Sequence, residues 1–209
     1  MTDAETQPMT AALLPFDSPE YRAQLKERFA NAKRLQLHLG GWETKPNWLI
    51  VNVEDRPGVD VRSTCSDLSM FPDASAVEIY ASHVYEHLGY QDELPQAFRE
   101  AARVLMPGGR LRIAVPDLEV LCRLFLEKKD DVNAQFYVQR MIMGGQMEPF
   151  DFHKTGFSQN ILIALLKEHG FSDFRRVDDF KLFDDTSKLH WQGTHISLNM
   201  QCIRAVPKK

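Results

Sequence analysis

RVLMPGGRLRIAVPD, residues 103–117, is the stretch that decides the fold class. Ala101, Val104 and Leu105 lie on one face of an amphipathic helix that stops at Pro107, Gly108 and Gly109, because proline lacks an amide and glycine suits a terminating turn. The apolar run Leu111 to Val115 then reads as a buried strand. A helix that runs straight into such a strand is half of a repeating unit, in which a parallel sheet is covered by helices.

Working outward, the same alternation recurs. EIYASHVYEHL (78–88) opens as a strand and breaks into a polar, histidine-rich segment, and a helix over about 92–105 separates it from the strand at 110–116. Upstream, LQLHLGG (35–41) is a strand ending in two glycines, and WLIVNVE (48–54) is a second strand reached through only Trp42 to Asn47. Residues 59–62 form a brief third strand and 77–82 a fourth. Ser18-Pro19-Glu20 opens an N-terminal helix to about Lys33, after a loose tail of some 15 residues. Beyond Asp117 the pattern turns helical. LEVLCRLFLEKK and NAQFYVQRMIMGG fill an insertion over about 118–157, Ser158 caps a helix closed by Gly170, and segments at about 173–183 and 195–204 read as strands that pair antiparallel at a sheet edge. The expected organisation is a tail and helix (1–34) followed by a single domain (35–209).

Composition narrows the function classes. A hydrophobic content of 44% suffices for one packed core, and 25 Lys and Arg against 29 Asp and Glu give a net charge of −4. With no basic run, nucleic acid is not an expected partner. Cys65, Cys122 and Cys202 are odd in number and far apart, which points to reduced thiols and a cytoplasmic setting, with no metal-binding spacing. No segment offers the ~20 apolar residues of a membrane span.

FPDASAVEIYASHVYEHL (71–88), RVLMPGGRLRIAVPD (103–117), HKTGF (153–157) and LLKEHGF (165–171) occur in an order and at spacings that matter together. From about residue 35 to 204 the chain resembles the class I S-adenosylmethionine-dependent methyltransferases, in their small stand-alone, short-loop subgroup. The resemblance implies a Rossmann-like doubly wound α/β sheet of about seven strands, mostly parallel, with an antiparallel C-terminal strand. It implies S-adenosylmethionine as cofactor and a small-molecule or sugar-type acceptor, methylated on O or N. A homodimer or a partner protein is compatible with it, and so is a non-catalytic binding subunit that kept the fold.

The residues in those positions suit the chemistry. Gly40 and Gly41 let backbone approach the donor's amino-acid portion without a Cβ, and Glu54 ends the second strand, where a carboxylate can accept both ribose hydroxyls. Asp67 and Leu68 match the family positions at the adenine, and Ser82 and His83 end the fourth strand beside the expected sulfonium. Methyl transfer requires in-line alignment and a proton acceptor. His83 and His153 are the catalytic candidates, whereas His87 and Glu86 read as packing or backbone-tying groups. Family members with a full glycine motif carry an acid two positions before the first glycine; here it is His38, and the helix that normally follows is missing.

Overall fold

A computed structural model of the protein describes residues 15–206. The tail expected before Pro15 therefore lies almost wholly outside the described residues. Helix α1 (Pro19–Phe29) begins where Ser18 caps it, its hydroxyl accepting from the Tyr21 amide at 3.2 Å, and ends four residues short of Lys33. Strand β1 (Leu35–Leu39) leads to β2 (Trp48–Asn52) with no helix between, and β3 (Val61–Arg62) is the short strand expected there. Strand β4 (Ala76–Ser82) passes through a 3-10 turn (Tyr85–His87) into α2 (Glu93–Val104) and then β5 (Leu105–Pro116).

Helices α3 (Leu118–Glu127) and α4 (Val132–Met143) fill the insertion, and α5 (Gln159–Glu168) precedes β6 (Phe171–Arg176). A small hairpin, β7 (His190–Trp191) with β8 (Thr194–His195), comes before the long β9 (Ser197–Arg204). The seven-stranded sheet has the order β3-β2-β1-β4-β5-β9-β6, in which β9 is antiparallel to both of its neighbours. This is the mostly parallel, doubly wound sheet with an antiparallel C-terminal strand that the sequence implied. Strand β9 lies inside the sheet rather than at its edge, which β6 occupies.

Two expectations need correction. The Pro107-Gly108-Gly109 stretch does not separate α2 from β5 but lies within β5. Leu105 pairs with Ala76 and Arg110 with Glu78, so the residues between them are accommodated by a register shift, with Gly108 at φ +79°. Likewise β6 (Phe171–Arg176) starts two residues earlier than expected and stops at Arg176, so only residues 173–176 of the segment expected at about 173–183 are strand. Asp117, 1% exposed, both caps α3 and pairs with Arg176 at 2.7 Å, which ties the end of β5 to the end of β6.

Helix α2 shows how the covering layer forms. Leu94, Ala97, Phe98, Ala101 and Val104 recur at helical spacing and are fully buried against the sheet, with Phe98 stacked on Tyr85 at 5.1 Å. On its flank Arg103 pairs with Glu100 and Asp73 and donates to the Leu68 and Phe71 carbonyls, which fixes the loop after β3. Among the described residues no helix is long and apolar enough to cross a membrane.

Candidate active site

The chain runs outward from β1 to β3 and then crosses back to β4 on the other side of β1. Loops leaving the carboxyl ends of β1 and β4 therefore diverge, and a crevice opens between them. A cavity of about 610 Å³ lies there, walled by Gly40, Asn52, Glu54, Thr64, Ser66, Ser82, His83, Val84 and His87 and roofed by Met147, Phe150 and Phe152. That volume is typical of a small-molecule site.

Gly40 stands at φ +67°, a region that penalises a side chain, and a Cβ there would strike Val84. Strand β1 thus approaches β4 closely at the cavity floor because no side chain intervenes. Strand β2 ends at Asn52, not at the expected Glu54, and Glu54, two residues beyond, lines the crevice and pairs with Arg56 at 2.5 Å. Neutral main chain at Gly40 and a carboxylate at Glu54 are groups that fit the amino-acid and ribose ends of an adenosyl donor.

Four of the residues expected from sequence, Gly40, Glu54, Ser82 and His83, share this cavity. Gly41, Asp67 and Leu68 do not line it. Gly41 lies beneath, its carbonyl accepting from Asn52 Nδ2 at 3.2 Å. Leu68 is fully buried and its amide donates to Glu100 Oε2 at 2.9 Å, while Asp67 pairs with Arg22 of α1. The loop after β3 presents Thr64, Cys65 and Ser66 to the cavity instead. Sequence reading missed these three because small polar residues in a turn carry no distinctive pattern. His38 does not reach the crevice either. It is 3% exposed with its ring 4.0 Å from that of Phe183, and burial pushes its pKa down to about 4, so it is neutral.

A second, smaller cavity of about 250 Å³ is lined by His83, Tyr137, Arg140, Met141, Gly144 and His153 among others. Its wall comes from α4 and the segment after it, so the insertion borders the crevice. Met147 and Phe150, also from the insertion, instead roof the larger cavity, and Arg123 lies 3.9 Å from Glu127 on the helix surface.

His83 belongs to both cavities. It holds φ +54°, an uncommon backbone state for a non-glycine residue, with its amide bonded to the Ala114 carbonyl at 2.8 Å. Its Nδ1 is 3.1 Å from Glu86 Oε1 and its Nε2 is 2.9 Å from Ser197 Oγ. His153 donates Nδ1–H to the Ile142 carbonyl at 3.2 Å, which leaves the Nε2 lone pair available. Burial lowers its pKa below the ordinary histidine value, outweighing the pull of Glu86. Burial also opposes ionisation of Glu86, but His83, His87 and His153 around it more than compensate and hold its carboxyl below the usual range.

Residues 22–113 match the family model described as a methyltransferase domain. Over those residues the chain is similar to a methyltransferase domain. S-adenosylmethionine is the methyl donor that this similarity implies. Solved structures share the chain's fold at low identity. A SAM-dependent methyltransferase of Thermotoga maritima is 20% identical, with 88% of this chain and 87% of that one covered and a TM-score of 0.53. A 1,6-didemethyltoxoflavin-N1-methyltransferase of Burkholderia thailandensis, solved with 1,6-didemethyltoxoflavin and S-adenosylhomocysteine bound, is 14% identical over 90% and 78% with a TM-score of 0.53. A SAM-dependent methyltransferase of Methanosarcina mazei is 14% identical over 87% and 97% with a TM-score of 0.52. No curated protein matches this sequence.

Proposed function

We propose that the protein is an S-adenosylmethionine-dependent methyltransferase that transfers a methyl group to an oxygen or nitrogen of a small molecule held in the cavity bordered by the insertion. The observation that carries this reading is the position of His83, a wall of both cavities, at the end of β4. Donor and acceptor sides adjoin there, as in-line displacement requires. When bound, the donor supplies an electrophilic methyl on a positively charged sulfur. The acceptor's lone pair forms the new bond to carbon, the carbon–sulfur pair returns to sulfur, and the proton leaves the acceptor for an imidazole.

His83 and His153 are the two imidazoles bordering the acceptor side. His153 suits proton acceptance better, because its Nε2 is free while His83 Nε2 bonds to Ser197 Oγ and its Nδ1 faces the Glu86 carboxylate at 3.1 Å. Tyr137 and Met141 give the cavity an apolar face and Arg140 a cationic edge, which favours a small, partly apolar acceptor with an anionic or strongly polar group. The reading is tested by incubating the protein with donor and a panel of small hydroxyl- and amine-bearing acceptors, with S-adenosylhomocysteine measured by mass spectrometry. Product formed with a small acceptor is expected. Donor bound but turned over only on a protein or nucleic acid would overturn the acceptor class.

A further inference from the structure

Glu86 and His87 lie in the 3-10 turn after β4, and His153 lies far along the chain in the segment preceding α5. One potential ligand atom from each of the three falls within 4.8 Å of those of the other two. Glu86 is 1% exposed, yet neither of its carboxylate oxygens has a hydrogen-bond partner; the His83 ring approaches Oε1 at 3.1 Å off the alignment a hydrogen bond needs. A buried carboxylate left in that state is expensive unless a cation accompanies it.

The two imidazoles are oriented alike. His87 Nδ1 bonds to the Phe152 carbonyl and His153 Nδ1 to the Ile142 carbonyl, both at 3.2 Å. A carbonyl only accepts, so each Nδ1 carries the proton and each Nε2 keeps its lone pair. Metal-binding histidines are set in this way, with a carbonyl behind the ring fixing tautomer and direction. The rings lie 4.9 Å apart at 79°. The amides of Lys154 and Thr155 both donate to the Glu86 carbonyl, at 2.8 and 3.0 Å, so the His153 segment is fastened to the turn that bears the other two groups.

We propose that Glu86, His87 and His153 form a binding site for a divalent transition-metal ion of the zinc, cobalt or manganese class. Two imidazoles and one carboxylate match the preferences of such ions and leave coordination positions open. Ligands ~2.1 Å from a tetrahedral ion are ~3.4 Å apart, so contraction by about 1.4 Å, within reach of side-chain rotation, completes the site. His153 also walls the smaller cavity and His87 the larger. On the reading of the smaller cavity as the acceptor side, a bound ion would lower the pKa of an acceptor hydroxyl; His153, the base in the ion-free protein, would then be a ligand, and His83, the other imidazole lining that cavity, would take the proton.

The test uses the full chain after chelator treatment, titrated with Zn²⁺ by calorimetry and with Co²⁺ by visible absorption, in the absence of donor and acceptor. One ion per chain is expected. His153→Gln and Glu86→Gln should each weaken binding at least ~10-fold with circular dichroism unchanged. His190→Ala, at the other close histidine pair, whose ring centroids are 4.8 Å apart, should leave it unaltered. If Glu86→Gln fails to fold, His87→Gln replaces it. Unchanged affinity in the ligand variants, or an equal loss in His190→Ala, overturns the site. Donor binding measured on the same samples separates the two readings. Donor bound without metal uptake overturns only the metal site, whereas metal uptake without donor binding overturns the methyl-transfer reading.

Discussion

Tyr80, near the end of β4, donates its hydroxyl to Asp185 Oδ2 at 2.7 Å across a sequence separation of 105 residues. Ser82 Oγ reaches Oδ1 of the same carboxylate at 3.1 Å, so two residues of β4 hold the segment that follows β6. Burial disfavours the charge on Asp185, but hydrogen bonds from Ser187, Tyr80 and Ser82 outweigh it and lower its pKa. Tyr80→Phe removes one bond to a charged group and should cost about 1.5–3 kcal/mol. Urea unfolding would show this as a lower midpoint at unchanged slope.

His38 predicts how stability responds to acid. Its folded pKa is about 4 against 6.5 for an ordinary histidine, so between those values the unfolded chain binds the additional proton. The neutral ring's contribution is complete above pH 6.5 and is lost as pH falls toward 4, by roughly 3 kcal/mol at most. His38→Leu should flatten the stability profile in that window. A wild-type profile already flat there would show that the ring is free to ionise in the fold.

Glu54 and Asp67 are separable by donor affinity. The Glu54 carboxylate lines the large cavity whereas Asp67 faces Arg22. Glu54→Ala should weaken donor binding at least ~10-fold through lost charge-assisted hydrogen bonds, and Asp67→Ala should change it much less. Calorimetric titration with S-adenosylhomocysteine checks both, and the reverse ranking would move the adenosyl group toward Asp67.

Gly40→Ala places a Cβ against Val84 at φ +67°. The backbone state alone costs about 1–2 kcal/mol, and the contact adds to it. Loss of donor affinity should accompany the lowered melting temperature, and Val84→Ala in the same chain should restore part of both.

Much of the sheet was legible because β1, β2, β4 and the second half of β5 carry apolar runs and α2 shows helical spacing, whereas β6, FSDFRR, has no such run and its bounds were missed. Leu94, Ala97, Phe98, Ala101 and Val104 repeat as a helix must when one face is buried. The Pro107-Gly108-Gly109 stretch misled because its residues serve a terminating turn and a bulge equally well, and only pairing with β4 decides between them. Gly40, Glu54, Ser82 and His83 were within reach because strand ends can be located from sequence. The grouping of Glu86 and His87 with His153 was not, since cysteine and histidine spacing reveals a metal site only when the ligands are neighbours along the chain. Here the folding of 144–156 onto the turn after β4 creates the cluster.

The place of β9 between β5 and β6 sets the order in which the domain is built. Strand β6 is synthesised first but has no partner in the sheet until β9 has docked on β5, so both must be captured together. The slow step of folding should be this long-range insertion. A substitution that delays β9, such as proline at Met200, would leave β5 and β6 with bare, sticky margins and send newly made chains into aggregates.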